Sequence, residues 1–218
     1  MRVSPGVSRR LARAGGLALV TGLLAIVLHQ PLLRAAGRAL VWQDDLVPAD
    51  AVVVPTWAGL GAALDVIDVV VTRRLTGHVV IIVPPSTATE REFVRRGYPY
   101  DDSATRMIRI LERAGIATDS IELLPVPVGG TSDEVGRLAR WCREGKHEAI
   151  IVLTPLDHGR RLKRTLQREE SSVRMIVRPI SRNVFNPEDW WTGRDGLRIG
   201  IVELQKLALD VVLHPVSW

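Results

Sequence analysis

Blocks of apolar residues alternate with polar, glycine- and proline-marked breaks along most of this chain. Ala51–Val54 is a β-branched run between Pro48 and Pro55, the mark of a buried strand. Leu60–Leu75 repeats apolar residues at helical spacing, and His78–Val83 is a second strand-like run, stopped by Pro84 and Pro85. Residues 86–100 read as a polar loop containing Gly97 and Pro99. Ser103–Ala114 predicts an amphipathic helix with Met107, Ile108 and Leu111 on one face and Gly115 at its end. Ser120–Leu124 predicts a short strand. After Gly129 and Gly130, Thr131 reads as an N-cap that forms a T-x-x-E capping box with Glu134. That helix runs to about Glu144 and is ended by Gly145. Ala149–Thr154 is the cleanest strand, Asp157 to about Arg168 a helix, Val173–Pro179 a strand and Gly196–Leu213 a last helix. Continuous apolar strands alternating with helices predict an α/β domain with a mainly parallel five-stranded sheet covered on both faces. Ligands of such sheets bind at the carboxyl ends of the strands.

The first 48 residues follow a different pattern. Ala14–Leu33 carries no charge, and Leu17–Leu28 is apolar on every helical face. Its length as a helix is about 30 Å, the thickness of a bilayer's hydrocarbon layer. Arg2, Arg9, Arg10 and Arg13 precede it, and Arg34 and Arg38 follow. That asymmetry predicts an anchor crossing the membrane once, with the N-terminus inside. A cleaved signal peptide and an ordinary buried helix are the alternatives; the small-residue cluster Ala35-Ala36-Gly37 is flanked by arginines, which suits cleavage poorly. The division is therefore a basic tail over 1–13, an anchor over 14–33, a connector over 34–48 and an α/β domain over 49–218. The domain is expected outside the cytoplasmic membrane.

Composition narrows the function classes. The chain has 218 residues, 46% of them hydrophobic, with a formal charge of +5 spread over scattered arginines. No basic block is interleaved with aromatics, so a nucleic-acid partner is not expected. The lone cysteine, Cys142, forms no internal disulfide and reads as a small buried residue on a helix. No H-E-x-x-H, no His/Cys cluster and no G-x-S-x-G is present, so neither a zinc site nor a serine-hydrolase elbow is expected.

Four segments are candidates for chemistry. Thr154-Pro-Leu-Asp-His158-Gly-Arg-Arg161 joins a strand end to a helix start, and His158 and Arg161 share a face at spacing three. Free N–H groups and an arginine fork there suit a phosphate or carboxylate, and His158 titrates near neutrality as an acid or base. The plain alternative makes Asp157 an N-cap and leaves the histidine solvated. Gly130-Thr131-Ser-Asp133-Glu134 also joins a strand end to a helix, without Walker spacing; the capping box explains Thr131 and Glu134 without a ligand. In Pro55–Gly59, Trp57 either covers a ligand or belongs to a plain turn. Around Asp189–Arg194, Trp190 and Trp191 either wall a site, cap the core or meet the membrane surface. Asp65 and Asp68 read as a solvated helix face, and Glu203 and Lys206 as a structural pair.

Taken together, these segments resemble the bacterial YdcF/SanA/ElyC-like envelope family, over about residues 48–213. Asp50–Val54 resembles its opening strand, and Met107, Leu111, Gly115 and Ile116 its "M…L…GV" helix end. Thr131, Asp133 and Glu134 fall on its "NT-x-E-N" motif, and Thr154, His158 and Arg161 on its "VT…H-x-x-R" motif. Trp191, Arg194 and Glu203 resemble its C-terminal region. Pro55-Thr56, Pro84-Pro85-Ser86 and Gly130 depart from the family's glycine-rich and asparagine positions. The resemblance implies a Rossmann-like three-layer sandwich and a role in envelope biogenesis or barrier function. The expected site is catalytic His158, with Gly130, Thr131, Asp133, Glu134, Thr154, His158, Arg161, Trp191 and Arg194 binding a small anionic ligand. No metal is assigned and the cofactor is open. Besides the bilayer contacted through residues 14–33, partners are open. The alternatives are a non-catalytic envelope factor acting through protein contacts, and a nucleotide- or S-adenosylmethionine-binding protein.

Overall fold

A computed structural model describes residues 27–126, 130–169 and 172–215. The expected basic tail and most of the expected anchor lie outside the described residues. Residues 27–40 form one helix, α1, so the last part of the apolar run continues without a break into the expected connector. No helix among the described residues is long and apolar enough to cross a membrane.

The remaining elements are β1 (Ala51–Val54), α2 (Ala62–Ile67), β2 (Val79–Val83), α3 (Ala88–Arg95), α4 (Ser103–Arg113), β3 (Ile121–Pro125), α5 (Thr131–Gly145), β4 (Ala149–Thr154), α6 (Gly159–Glu169), β5 (Arg174–Pro179) and α7 (Arg194–Leu213). All five strands are parallel, in the order β3-β2-β1-β4-β5. The chain winds outward from β1 to β3, then returns past β1 to lay down β4 and β5. Strand order therefore reverses between β1 and β4, where an open α/β sheet leaves a crevice at the carboxyl ends.

Alternation along the strands builds two cores. Val53, Val80 and Val152 pack with Leu138 of α5 and Leu162 of α6. Val52, Ile81 and Leu153 pack on the other face with Val66 of α2 and Leu111 of α4. Successive strand residues point to opposite faces, so strands apolar at every position require helices on both. Cys142 is fully buried in the first core.

A third cluster joins α1 to α7 around Trp190. The Trp190 indole donates to the Leu33 carbonyl at 2.8 Å. A Cβ at Gly37 would fall 2.7 Å from the indole, and one at Gly196 would fall 2.6 Å from the Trp190 carbonyl oxygen. Asp44, beyond α1, accepts from the Val177 amide at 2.9 Å and from Lys163 at 2.8 Å. Those contacts fasten the segment after α1 to β5 and α6.

Local chemistry corrects several expectations. The segment 86–100 is not a loop throughout: α3 lies in it, started by a capping box between Thr87 and Glu90. Thr131 makes no such box; Gly130 is the N-cap of α5 and Thr131 its first helical residue. Asp157 is not a side-chain cap either, because Leu156–His158 form a 3-10 turn ahead of α6. Asp65 is buried rather than solvated, accepting from the Ser181 amide at 3.0 Å; Asp68 pairs with Arg73.

Candidate functional site

A buried polar cluster lies beyond the carboxyl end of β4, beside the crevice between β1 and β4. β4 ends at Thr154, and the 3-10 turn that follows brings His158 inward until it is 5% exposed. Gly159 opens α6 against the backbone of Trp42, where a Cβ would fall 2.7 Å from the Trp42 carbonyl oxygen. One turn into α6, Arg161 shares the face of His158.

Arg161 organises the cluster. Its Nε donates to Glu203 Oε2 at 3.0 Å and its Nη2 to Glu203 Oε1 at 3.3 Å. Nη1 donates to the Thr131 hydroxyl at 3.2 Å, and Nη2 also lies 2.9 Å from His158 Nδ1. Lys206 Nζ adds 2.7 Å to Glu203 Oε1. Burial would raise the Glu203 carboxyl, but the donors of Arg161 and Lys206 outweigh burial and hold it far below its ordinary range.

That geometry fixes the histidine's proton. Nδ1 lies between two partners, Arg161 Nη2 at 2.9 Å and Glu203 Oε2 at 3.3 Å; a guanidinium only donates and is the nearer of the two, which favours Nδ1 accepting with its lone pair. Burial first, and the Arg161 charge after it, lower the His158 pKa against the pull of Glu203, so the ring is neutral. Its one proton therefore sits on Nε2. That nitrogen is buried and has no hydrogen-bond partner. Two further buried groups at this end of the sheet are unpartnered: the Thr154 hydroxyl and the Trp57 indole N–H. Trp57, on the 3-10 turn Thr56–Ala58 after β1, meets the His158 ring edge-on at 5.2 Å between centroids. Two of the three are donors and the third can donate, so what the site lacks is an acceptor oxygen. An unmade buried hydrogen bond costs about 1–3 kcal/mol, which sets these groups apart from ordinary core packing.

A groove of about 790 Å³ adjoins the cluster. Val83, Pro84 and Val126, where β2 and β3 end, line it with Glu90 of α3 and Asp102 at the start of α4. Thr56 and Glu134 line it too; Thr56 precedes Trp57 in the chain and Glu134 follows Thr131 by three residues on α5. The Thr56 hydroxyl and amide both donate to the Glu134 carboxylate. Burial raises the Glu134 carboxyl against those two bonds. The groove's charged lining is Glu90, Asp102 and Glu134 against Arg91, so the groove itself does not favour an anion.

Of the residues expected at the site, Thr131, His158 and Arg161 are brought together here; Thr154 ends β4 four residues before His158, and Glu134 bonds Thr56. Gly130 is at the exposed start of α5. Asp133 is exposed and lines a separate depression with Arg137 and Arg140. Trp191 packs edge-on against Trp190, and Arg194 is exposed on the first turn of α7. Glu203 is the principal addition. Its spacing from Lys206 shows the ion pair between them, but no local signal shows that α7 folds back over α6. Thr56 carries no motif signal at all. No protein-family model matches the chain, and no curated protein matches it.

Two outcomes test this geometry. Thr154→Val removes a hydroxyl that bonds to nothing and keeps the shape of the strand. The ligand-free protein should gain about 1 kcal/mol in urea unfolding; a loss of similar size would mean the hydroxyl has a partner. The second concerns pH. Below the ordinary histidine value of 6.5, the unfolded chain binds a proton at residue 158 that the folded protein refuses. Stability conferred by neutral His158 is therefore complete above that pH and is lost as pH falls through it. Between about pH 7.5 and about pH 5.5 the urea midpoint should drop more steeply in the native protein than in His158→Gln. Equal slopes would show that folding leaves the His158 pKa unshifted, and a shallower native slope that the fold holds the ring protonated.

Proposed function

We propose that this is a membrane-anchored bacterial envelope protein of the YdcF/SanA/ElyC-like kind. Residues 14–33 hold it in the cytoplasmic membrane and the α/β domain stands on the outer side. At the β1–β4 crevice the domain binds a small anionic envelope metabolite, phosphorylated or carboxylated. The observation that carries the binding reading is the set of buried donors without acceptors, His158 Nε2, Thr154 Oγ1 and Trp57 Nε1, beside the Arg161 guanidinium. A phosphate or carboxylate oxygen supplies the missing acceptor.

His158 acts as a hydrogen-bond donor to that oxygen, and as a proton donor in any chemistry that follows. Arg161 carries the positive charge, with Glu203 fixing its plane and Thr131 holding its far edge. Trp57 covers the site, so its turn must lift for a ligand to enter. The remainder of the ligand lies in the adjoining groove, whose carboxylates and hydroxyls suit an uncharged, hydroxyl-bearing part. Buried ion clusters of this kind give little stability compared with apolar packing, which is a further reason to assign this one to binding.

The full chain, held in a lipid nanodisc, should be screened by thermal unfolding against phosphorylated envelope precursors, inorganic phosphate, nucleotides and S-adenosylmethionine. At about 100 times Kd a ligand contributes about 2.7 kcal/mol, a rise in Tm of roughly 5–10 °C. The rise should disappear in Thr154→Val and His158→Gln. A shift that survives both variants would place the ligand elsewhere. No shift with any compound would leave a factor that works through contacts with other proteins.

A further inference from the structure

The helix that supplies Glu203 is built inside out. The inward face of α7 carries Gly196, Gly200 and the two carboxylates Glu203 and Asp210, which are bound by Arg161 and by Arg164 and Arg168. Its outward face carries the larger share of apolar side chains. Leu197, Ile201, Val202, Leu209, Val212 and Leu213 are all exposed, Val212 to 75%. The charges exposed among them are Arg194, Arg198 and Lys206 against Asp195 in the first turn. An apolar surface of this extent on a domain marks an interaction site.

We propose that this outward face of α7 lies in the interfacial zone of an anionic lipid bilayer. α1 is packed on α7 through Leu33, Ala36 and Leu40, and it exposes Val27, Leu28 and Leu32 at the end where the apolar run of residues 14–26 joins it. The apolar surface of α7 thus belongs to the same helix pair as the start of that run. α7 does not have the length and apolarity to span a membrane. A helix with arginines at one end of its exposed apolar face instead lies in the membrane plane, sunk by about 5–10 Å, and prefers anionic lipid. A second copy of the chain fits this face less well. A two-fold contact sets a patch against itself, bringing the arginines of both copies together with only Asp195 to offset them. The inference rests on the anchor reading above and places the Glu203 clamp one helix thickness from the lipid.

The test uses the full chain with a nitroxide label at Ile201→Cys, in a Cys142→Ala background because Cys142 is buried and best removed from labelling, and a control label at Asp119→Cys, beside the opposite edge of the sheet. Flotation with vesicles containing phosphatidylglycerol reports anchoring; relaxation by a water-soluble nickel complex and by oxygen reports depth. On anionic vesicles the nickel effect at residue 201 should fall at least about threefold while residue 119 is unchanged. Adding Arg194→Glu and Arg198→Glu should reverse the fall. A chain that floats with residue 201 still open to nickel overturns the docking and leaves the anchor reading intact. Shielding that comes with dipolar broadening between labels, and is equal on neutral lipid, assigns the face to a second copy and also overturns it. A chain that does not float overturns both.

Discussion

Glu203 is the carboxylate on which the arrangement of this domain turns. It reaches from the outermost helix to the end of β4, and it is ionised while almost fully buried. Leaving such a charge without partners costs about 3–5 kcal/mol. α7 therefore cannot slide while it stays packed without leaving Arg161 or Glu203 buried and unpaired. The two-point grip of Glu203 on Arg161 orients the guanidinium. The oriented guanidinium then holds the lone pair of His158 Nδ1, and that contact places the ring proton on Nε2, where no protein group receives it. A chain of local choices, each forced by the one before, ends in an unmet donor at the crevice of the sheet.

The second constraint is steric. Trp190 fits between α1 and α7 because glycines stand at 37, 196 and 200. Any side chain at these positions would push one helix away, so the tryptophan sets how closely they approach. Thus α1, leaving the apolar N-terminal run, is fixed against the same helix that clamps the binding crevice. Trp190 and Trp191, candidates for walling a ligand, serve this junction instead.

The sequence made the strands legible because each is buried on both faces and reads as an unbroken apolar run. The helices on the two cores were legible from their 3.6-residue stripes. α3 was not, because it buries no side chain and leaves no stripe; its start was written in the capping box of Thr87 and Glu90. The Thr131–Glu134 spacing looked like the same box, yet tertiary partners took both groups: Arg161 bonds the hydroxyl and Thr56 the carboxylate. His158 and Arg161 were readable as a pair because they lie three apart on one helical turn. Their tie to Glu203 spans 42 residues for Arg161 and 45 for His158 and depends on how α7 packs, which no local pattern encodes.

The central claim is that neutral His158 holds its proton on Nε2, facing a place for an acceptor oxygen. Two-dimensional ¹⁵N–¹H correlation of the histidine rings, with His158→Gln to assign the signal, reads that proton directly. The account predicts an unprotonated Nδ1 and a protonated Nε2 that persist across about pH 6–8, with the Nε2 signal moving when a ligand binds. A proton on Nδ1, or an imidazolium at neutral pH, would contradict it.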